Sequence, residues 1–384
     1  MVNAFNFLEK LVSFPSVSRS GNRMLIDWVF DLLKEHGIDA TLYPNPSGDR
    51  ASLFASIGGG GPGGLVLSGH TDVVPVDGQD WTSDPFVLRE TNDLLFGRGT
   101  ADMKGFVACA LEAFINAKDQ LSAPVHLALS YDEEIGCVGV RPMLDDLKKR
   151  GLRPDWVLVG EPTSMKMATG HKGKVAGQAT CCGFPTHSAL APQGLNAIHM
   201  AADFLGDIRD LQSELEKEGH RDPAYDIPYS TLHAGLIRGG TALNIVPQNC
   251  VLDFEIRNVA SDNPDQILGR LIDAARRQET NLRDKFPQAA ITIDILNDYP
   301  GLETSSDAPE LAKLKALAAG VGGTDGADPM KVAFGTEGGL FCDTFDVPVA
   351  VCGPGSMDQG HKPDEFIARA QMEACRSMLA RLLG

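Results

Sequence analysis

Four short apolar runs, each delivering a histidine or a carboxylate at or shortly after its end, constrain this chain more than any other feature. Residues 64–69 run into His70 and Asp72, and residues 125–130 into Asp132-Glu133-Glu134. Residues 156–159 lead to Gly160-Glu161-Pro162, and 347–352 open through Gly353-Pro354-Gly355 towards His361. Helical patterns alternate with these runs. Leu25, Trp28, Val29, Leu32 and Leu33 mark one helix over 22–36, closed by Gly37, and residues 106–118 read as another. Short β-branched runs alternating with helices predict an α/β fold with a mostly parallel sheet. In such sheets ligands sit beyond the carboxyl ends of the strands. A further strand is expected at 51–57. The glycine-rich stretch 58–64 then feeds a strand and not a helix. It therefore lacks the context of a dinucleotide loop and reads as a flexible hairpin-like turn.

The rhythm changes after residue 173. Strand 175–182, helix 195–215, strands 230–237 and 250–256, helix 264–283 and strand 290–296 follow in order. That β-α-β-β-α-β succession predicts a ferredoxin-like domain inserted into the first. The expected division is a discontinuous catalytic domain, 1–173 with 298–384, and an inserted domain, 174–297. A chain of 384 residues exceeds one ordinary hydrophobic core, which agrees with two domains.

Charge narrows the partners. The 34 basic and 51 acidic residues leave a net charge of −17, which repels phosphate backbones and anionic lipid. Nucleic acid and membrane are therefore not expected as partners. No apolar run approaches the ~20 residues that a bilayer crossing needs. The opening Met1-Val2-Asn3-Ala4 lacks the basic start and apolar core of a signal peptide. Eight scattered cysteines form no Cys-x-x-Cys pair, a pattern that points to a reducing cytoplasm and not to a disulfide framework.

The chemistry-bearing residues are ambiguous singly. In extended backbone, residues two apart project to one side, so His70 and Asp72 can face one site; the other reading is a pair of surface polar residues. Asp102 lies among Gly97, Gly99 and Gly105 just before a helix, either as a ligand or as an acid at a helix N-terminus. Asp132-Glu133-Glu134 is harder to explain structurally, because adjacent carboxylates after a buried strand repel unless cations neutralise them. Glu161 repeats that anomaly, and His361 sits in a loop that opens a C-terminal helix. A metal centre with mixed imidazole and carboxylate ligands accounts for the whole set. No Gly-x-Ser-x-Gly elbow is present, which argues against a serine hydrolase.

Ser68-Gly69-His70-Thr71-Asp72-Val73-Val74-Pro75, the Gly97-to-Gly105 block, Asp132-Glu133-Glu134-Ile135-Gly136, Gly160-Glu161-Pro162-Thr163 and Gly360-His361 resemble the signature blocks of a known family. It is the aminoacylase, acetylornithine deacetylase and succinyl-diaminopimelate desuccinylase family of co-catalytic zinc hydrolases. The resemblance implies a zinc-peptidase-like catalytic domain with a ferredoxin-like lid and dimerisation domain. It implies two divalent metal ions per chain, zinc with cobalt as a substitute, and a homodimer through the inserted domain. One ion would be held by His70, Asp102 and Glu161, the other by Asp102, Glu134 and His361, with Asp102 bridging. Asp72 would orient His70, Glu133 would be the general base and acid, and His187 would donate to the oxyanion. The peptide bond after Asp102 would be cis.

Residues of the substrate site follow from the same resemblance. Asn244 and Arg257 in the inserted domain would lie near the substrate, Arg257 offering a planar fork to a carboxylate. The alternative for Arg257 is an ion pair with Glu255 or another acid of its domain. The block Phe334-Gly335-Thr336-Glu337-Gly338-Gly339 resembles the acetylornithine deacetylase branch, which implies removal of acetate from a small-molecule N-acyl amino acid, N2-acetyl-L-ornithine, in arginine biosynthesis. Thr336 and Glu337 would then touch substrate, Glu337 pairing with its side-chain ammonium; the alternative for Glu337 is a polar residue supporting its loop. Desuccinylation of succinyl-diaminopimelate, other deacylations such as that of acetylcitrulline, peptidase activity and a non-catalytic metal-binding homologue are the competing functions.

Overall fold

The structure, a computed structural model, describes residues 3–59, 63–318 and 329–384. It falls into two compact units. The first comprises Met1–Gly170, Leu302–Lys331 and Thr336–Gly384, the second His171–Gly301 and Val332–Gly335. Compared with the expected inserted segment 174–297, the second unit also takes in residues 171–173, 298–301 and Val332–Gly335. Within this last piece Gly335 packs against Tyr299, where an added Cβ would lie 2.1 Å from the ring.

The first unit is built on one mixed sheet. Its order begins Ala40–Pro44, Ala51–Ile57, Val125–Ser130, Leu65–His70, Trp156–Pro162, Val349–Gly353, and continues through the short strands Ala168–His171 and Leu302–Glu303. Leu65–His70 runs parallel to both neighbours, and Val349–Gly353 parallel to Trp156–Pro162. The edge formed by Ala40–Pro44 and Ala51–Ile57 is antiparallel. Every residue of Leu65–His70, Val125–Ser130 and Trp156–Pro162 is buried, as expected for strands covered on both faces. The helix Gly105–Ala117 is apolar nearly all round and correspondingly buried. It packs against Ala4–Val12 and Arg369–Leu383.

The glycine-rich connection is not a hairpin. Ala51–Ile57 and Leu65–His70 do not pair with each other; both flank Val125–Ser130, one antiparallel and one parallel. Residues 60–62 of that connection lie outside the described residues.

The second unit has the predicted β-α-β-β-α-β order. Its sheet runs Thr231–Gly239, Asn249–Arg257, Lys174–Cys182, Ala290–Tyr299, with every pair antiparallel. Burial alternates along Lys174–Cys182, so Val175, Ala179 and Cys181 join the core with Ala197–Glu218 and Pro264–Arg283. Asn196 and Asn263 cap these helices, their side chains accepting from the Ile198 and Asp265 amides at 2.9 Å each. Among the described residues no helix is long and apolar enough to cross a membrane. All eight cysteines are free thiols.

Candidate metal centre

The parallel strands aim their carboxyl ends at one place. His70 is the last residue of Leu65–His70, Asp132-Glu133-Glu134 follow Val125–Ser130, and Glu161 lies near the end of Trp156–Pro162. His361 follows Val349–Gly353 in a loop, with φ +63°. Asp102 arrives from the bend before Gly105–Ala117, and the Asp102–Met103 peptide bond is cis. Gly99 sits in the left-handed region at φ +82°, which lets the chain turn tightly enough to present Asp102.

Asp102 lies in the middle of this cluster. Its Oδ1 is 3.0 Å from His70 Nε2, and its Oδ2 is 3.2 Å from His361 Nε2. Glu161 stands 3.9 Å from His70 Nε2, and Glu134 3.0 Å from His361 Nε2. Donor atoms of His70, Asp102 and Glu134, and those of His70, Glu133 and Glu161, also lie within 4.8 Å of one another. The inner side is closed, since the His70, Asp102 and Glu161 side chains are at most 5% exposed, whereas that of His361 is 45% exposed.

Asp72 has a broader part than orienting His70. The nearest partner of His70 Nδ1 is the Asp72 backbone carbonyl at 2.9 Å, with the carboxylate at 3.6 Å. An Nδ1–H donated there leaves Nε2 free as a ligand. The Asp72 carboxylate accepts from the Glu133 amide at 3.0 Å, the Glu134 amide at 3.4 Å and the Ser18 hydroxyl at 2.7 Å. It therefore sets the turn carrying both glutamates. Asp132 holds the other side of that turn at φ +54°, accepting from the Arg19 amide at 2.9 Å and pairing with the Arg50 guanidinium. Ser18 and Arg50 carry no motif that sequence reasoning could read; only the fold brings them here.

The charge balance is that of a cation site. Burial, reinforced by neighbouring acids, pushes Glu133 and Glu161 well above the carboxylate range and Glu134 up to about 7. Burial opposes ionisation of Asp102 too, but contacts with His361 and His70 outweigh it and pull Asp102 below its ordinary range. Those contacts, with Glu134, raise His361 to about 10. Glu134 Oε1 is buried without a hydrogen-bond partner among the described residues. Two imidazoles and several carboxylates converging with an unsatisfied oxygen fit a pair of divalent ions of borderline hardness.

The remaining predicted residues divide between the units. Glu337 is buried in the first, its Oε2 3.3 Å from the Ser68 hydroxyl and its Oε1 without a hydrogen-bond partner among the described residues; burial raises it to about 7 against the lowering effect of the nearby Ser130 and Ser68 side chains. Thr336 is fully buried, its hydroxyl accepting from the Gly338 amide at 2.9 Å at the start of Gly338–Phe345. His187, Asn244 and Arg257 belong to the second unit. His187 and Asn244 are exposed and adjoin one another, the Ser188 amide donating to the Asn244 carbonyl at 3.0 Å. His187 Nδ1 accepts from the Ala189 amide at 3.1 Å, which places its proton on Nε2. The Arg257 fork holds Glu255 at 3.1 and 3.4 Å and the Tyr299 hydroxyl at 2.8 Å, the arrangement given by its alternative reading.

Imidazole–carboxylate pairs beyond the carboxyl ends of a mostly parallel sheet fit a metal-dependent hydrolase, and comparison with known proteins gives the family. The pattern of peptidase family M20/M25/M40 matches residues 66–384, and the chain belongs to that family. A protein of Aliivibrio fischeri (strain MJ11) named acetylornithine deacetylase is 33% identical over 386 residues, covering 98% of this chain and 97% of the relative. One of the same name from Photorhabdus laumondii is 33% identical over 383 residues, covering 97% and 94%. Among solved structures, an M20 family metallo-carboxypeptidase of Sulfolobus solfataricus superimposes with a TM-score of 0.80 at 20% identity, covering 100% of this chain and 99% of its own.

Proposed function

We propose that this metal-dependent hydrolase removes acetate from N2-acetyl-L-ornithine, giving L-ornithine, and acts as a cytoplasmic homodimer. The observation that carries the reading is near-full-length likeness to proteins named acetylornithine deacetylase. Glu337 supports it as a buried carboxylate with one oxygen that has no hydrogen-bond partner among the described residues, suited to a substrate ammonium. His70, Asp102 and Glu161 are assigned to one ion, and Asp102, Glu134 and His361 to the other. Zinc, or cobalt in its place, supplies Lewis acidity and lowers the pKa of a water towards ~7.

The chain's own residues do the rest. Glu133, partly exposed beside the buried ligands, takes the proton of the attacking water as its oxygen bonds to the acetyl carbon. It returns that proton to the amine nitrogen as the carbon–nitrogen bond breaks, leaving acetate and the free amine. His187, with its proton on the outward nitrogen, is the assigned donor to the oxyanion. Asn244 and Arg257 are assigned to the substrate's polar groups.

The test is a substrate panel on protein stripped of metal and reloaded with zinc or cobalt. Acetylornithine should be preferred over acetylcitrulline, acetylmethionine and succinyl-diaminopimelate, with no turnover while a chelator is present. Glu337→Gln should lower the specificity constant for acetylornithine by about 10–100-fold, the worth of one charge-assisted contact, and hardly change that for acetylmethionine. A preference for the succinyl substrate, or no hydrolysis by the reloaded protein, overturns the assignment.

A further inference from the structure

Asp102 and His361 come from opposite ends of the first unit's chain, yet their donor atoms sit 3.2 Å apart. Regular structure holds neither of them. Asp102 occupies an irregular bend, and His361 and Asp364 both have positive φ, +63° and +51°.

What joins the two loops is a chain of side chains. The Glu365 carboxylate accepts from three amides of the Asp102 bend: Gly99 at 3.0 Å, Ala101 at 2.9 Å and Asp102 itself at 3.1 Å. Its Oε2 also accepts from Arg98 Nη1 at 2.7 Å, and both side chains of this ion pair are 1% exposed. The Arg98 guanidinium donates to the Lys362 carbonyl at 3.3 Å and, through Nη2, to the Gln79 side-chain oxygen. The Gln79 amide nitrogen donates to the His361 carbonyl at 2.9 Å, while the Trp81 indole donates to its oxygen at 3.0 Å. Arg98 also lies over the Trp81 ring, 5.0 Å from its centre.

We propose that Glu365, Arg98 and Gln79 form a positioning strut that fixes His361 relative to Asp102 and so sets the affinity of the outer metal ion. The inference rests on the two-ion reading of the cluster. Its physical ground is the price of burial: desolvation cancels most of the attraction in a fully buried ion pair, so such a pair is a weak stabiliser. This pair spends its hydrogen bonds on the backbone of one ligand, Asp102, and on the residue beside the other, His361. Of the inner ion's ligands only the shared Asp102 touches it. His70 and Glu161 stand on strands of the central sheet. Groups that orient metal ligands from behind are typically worth 10–100-fold in metal affinity.

The experiment is zinc titration of the full-length chelated protein by calorimetry, with cobalt absorption spectra as a report on coordination geometry. Wild type should bind two ions per chain. Gln79→Ala, an edit to a half-buried residue at the outer end of the strut, should leave one ion at wild-type affinity and weaken the other by about 10-fold. Arg98→Met should weaken the same ion by about 100-fold, and Arg98→Lys, which keeps the charge beside Glu365 but loses the fork, should fall between. Arg376→Met removes a different ion pair, with Glu112; it should lower the melting temperature and leave both affinities and the cobalt spectrum unchanged. Two ions at wild-type affinity in Gln79→Ala, or equal weakening of both ions in the strut variants, overturns the strut. A wild-type protein that binds no zinc overturns the two-ion reading itself, and the strut with it.

Discussion

The two units of this chain put their physical anomalies in opposite places. In the first, ionisable groups are buried: His70, Asp72, Asp102, Lys104, Glu161, Glu337 and Glu365 are all at most 5% exposed. In the second, large apolar groups are exposed: Leu243 entirely, and Leu236, Ile237 and Leu296 by more than half. Buried charge is costly and persists only where cations or hydrogen bonds repay it. Large exposed apolar side chains mark surfaces open to contact. On the proposed reading, the chemistry belongs to the first unit and contact with a second copy to the second.

The sharpest way to break that assignment is to remove charge from the buried cluster. Glu133→Gln should cut turnover by about 10²–10⁴-fold while both ions stay bound, because a positioned proton shuttle is worth that much. Glu134→Gln should instead lose metal, since its carboxylate faces His361 at 3.0 Å. Metal content and turnover measured together separate the two roles. Equal metal loss in both variants would show that Glu133 is a ligand, as its grouping with His70 and Glu161 permits.

How much of this was legible in sequence depended on what kind of signal each residue left. His70, Asp132-Glu133-Glu134 and Glu161 stood out because acids after apolar runs contradict simple burial, and the sheet does bring them together. The ferredoxin-like unit was readable because its helices and strands have clean periodicities bounded by turns. The pairing of Ala51–Ile57 with Val125–Ser130 was not, since nothing local to residues 58–64 distinguishes a hairpin from a connection that skips a strand. Glu365 and Arg98 were visible as letters within motifs. Their pairing needed the fold, because the two are separated by most of the first unit. Arg257 shows the reverse limit: sequence reads a strand-borne arginine equally as a carboxylate anchor or an ion-pair partner, and only the fold shows Glu255 and the Tyr299 hydroxyl against it.

A smaller effect tests whether one buried ionisable group of the second unit, His171, is passive. His171 is fully buried, and burial pushes it down to about 4. An unfolded histidine titrates near ~6.5, so between these values the unfolded chain binds the extra proton. The contribution is therefore complete above ~6.5 and lost as pH falls towards 4, by up to about 3 kcal/mol in all. Melting temperature should drop between pH 7 and 5, and His171→Phe should flatten that drop. An unchanged slope in the variant would assign the acid sensitivity to other groups.

The smallest effect concerns the exposed apolar surface, and it tests the other half of the comparison. Thr231–Gly239 is an edge strand, and residues 235–245 are exposed without interruption. Successive residues of a strand face opposite ways, so exposure of both Leu236 and Ile237 means that neither face of the strand is covered there. An uncovered edge offers backbone groups as well as side chains to a partner. A second copy of this chain satisfies both at once, and in a two-fold interface each residue acts twice. Burying one leucine contributes roughly 1.5–3 kcal/mol, so Leu236→Lys should raise the dimer dissociation constant by at least ~10-fold. Sedimentation equilibrium would measure the shift. Leu296→Lys, on the opposite edge strand Ala290–Tyr299, should leave the dimer intact, which separates a specific edge from general stickiness. A protein that stays monomeric at high concentration, or a Leu236→Lys variant that dimerises like wild type, would take the contact role away from this edge. The buried chemistry of the first unit would be untouched by that result, because none of its ligands belongs to the second unit.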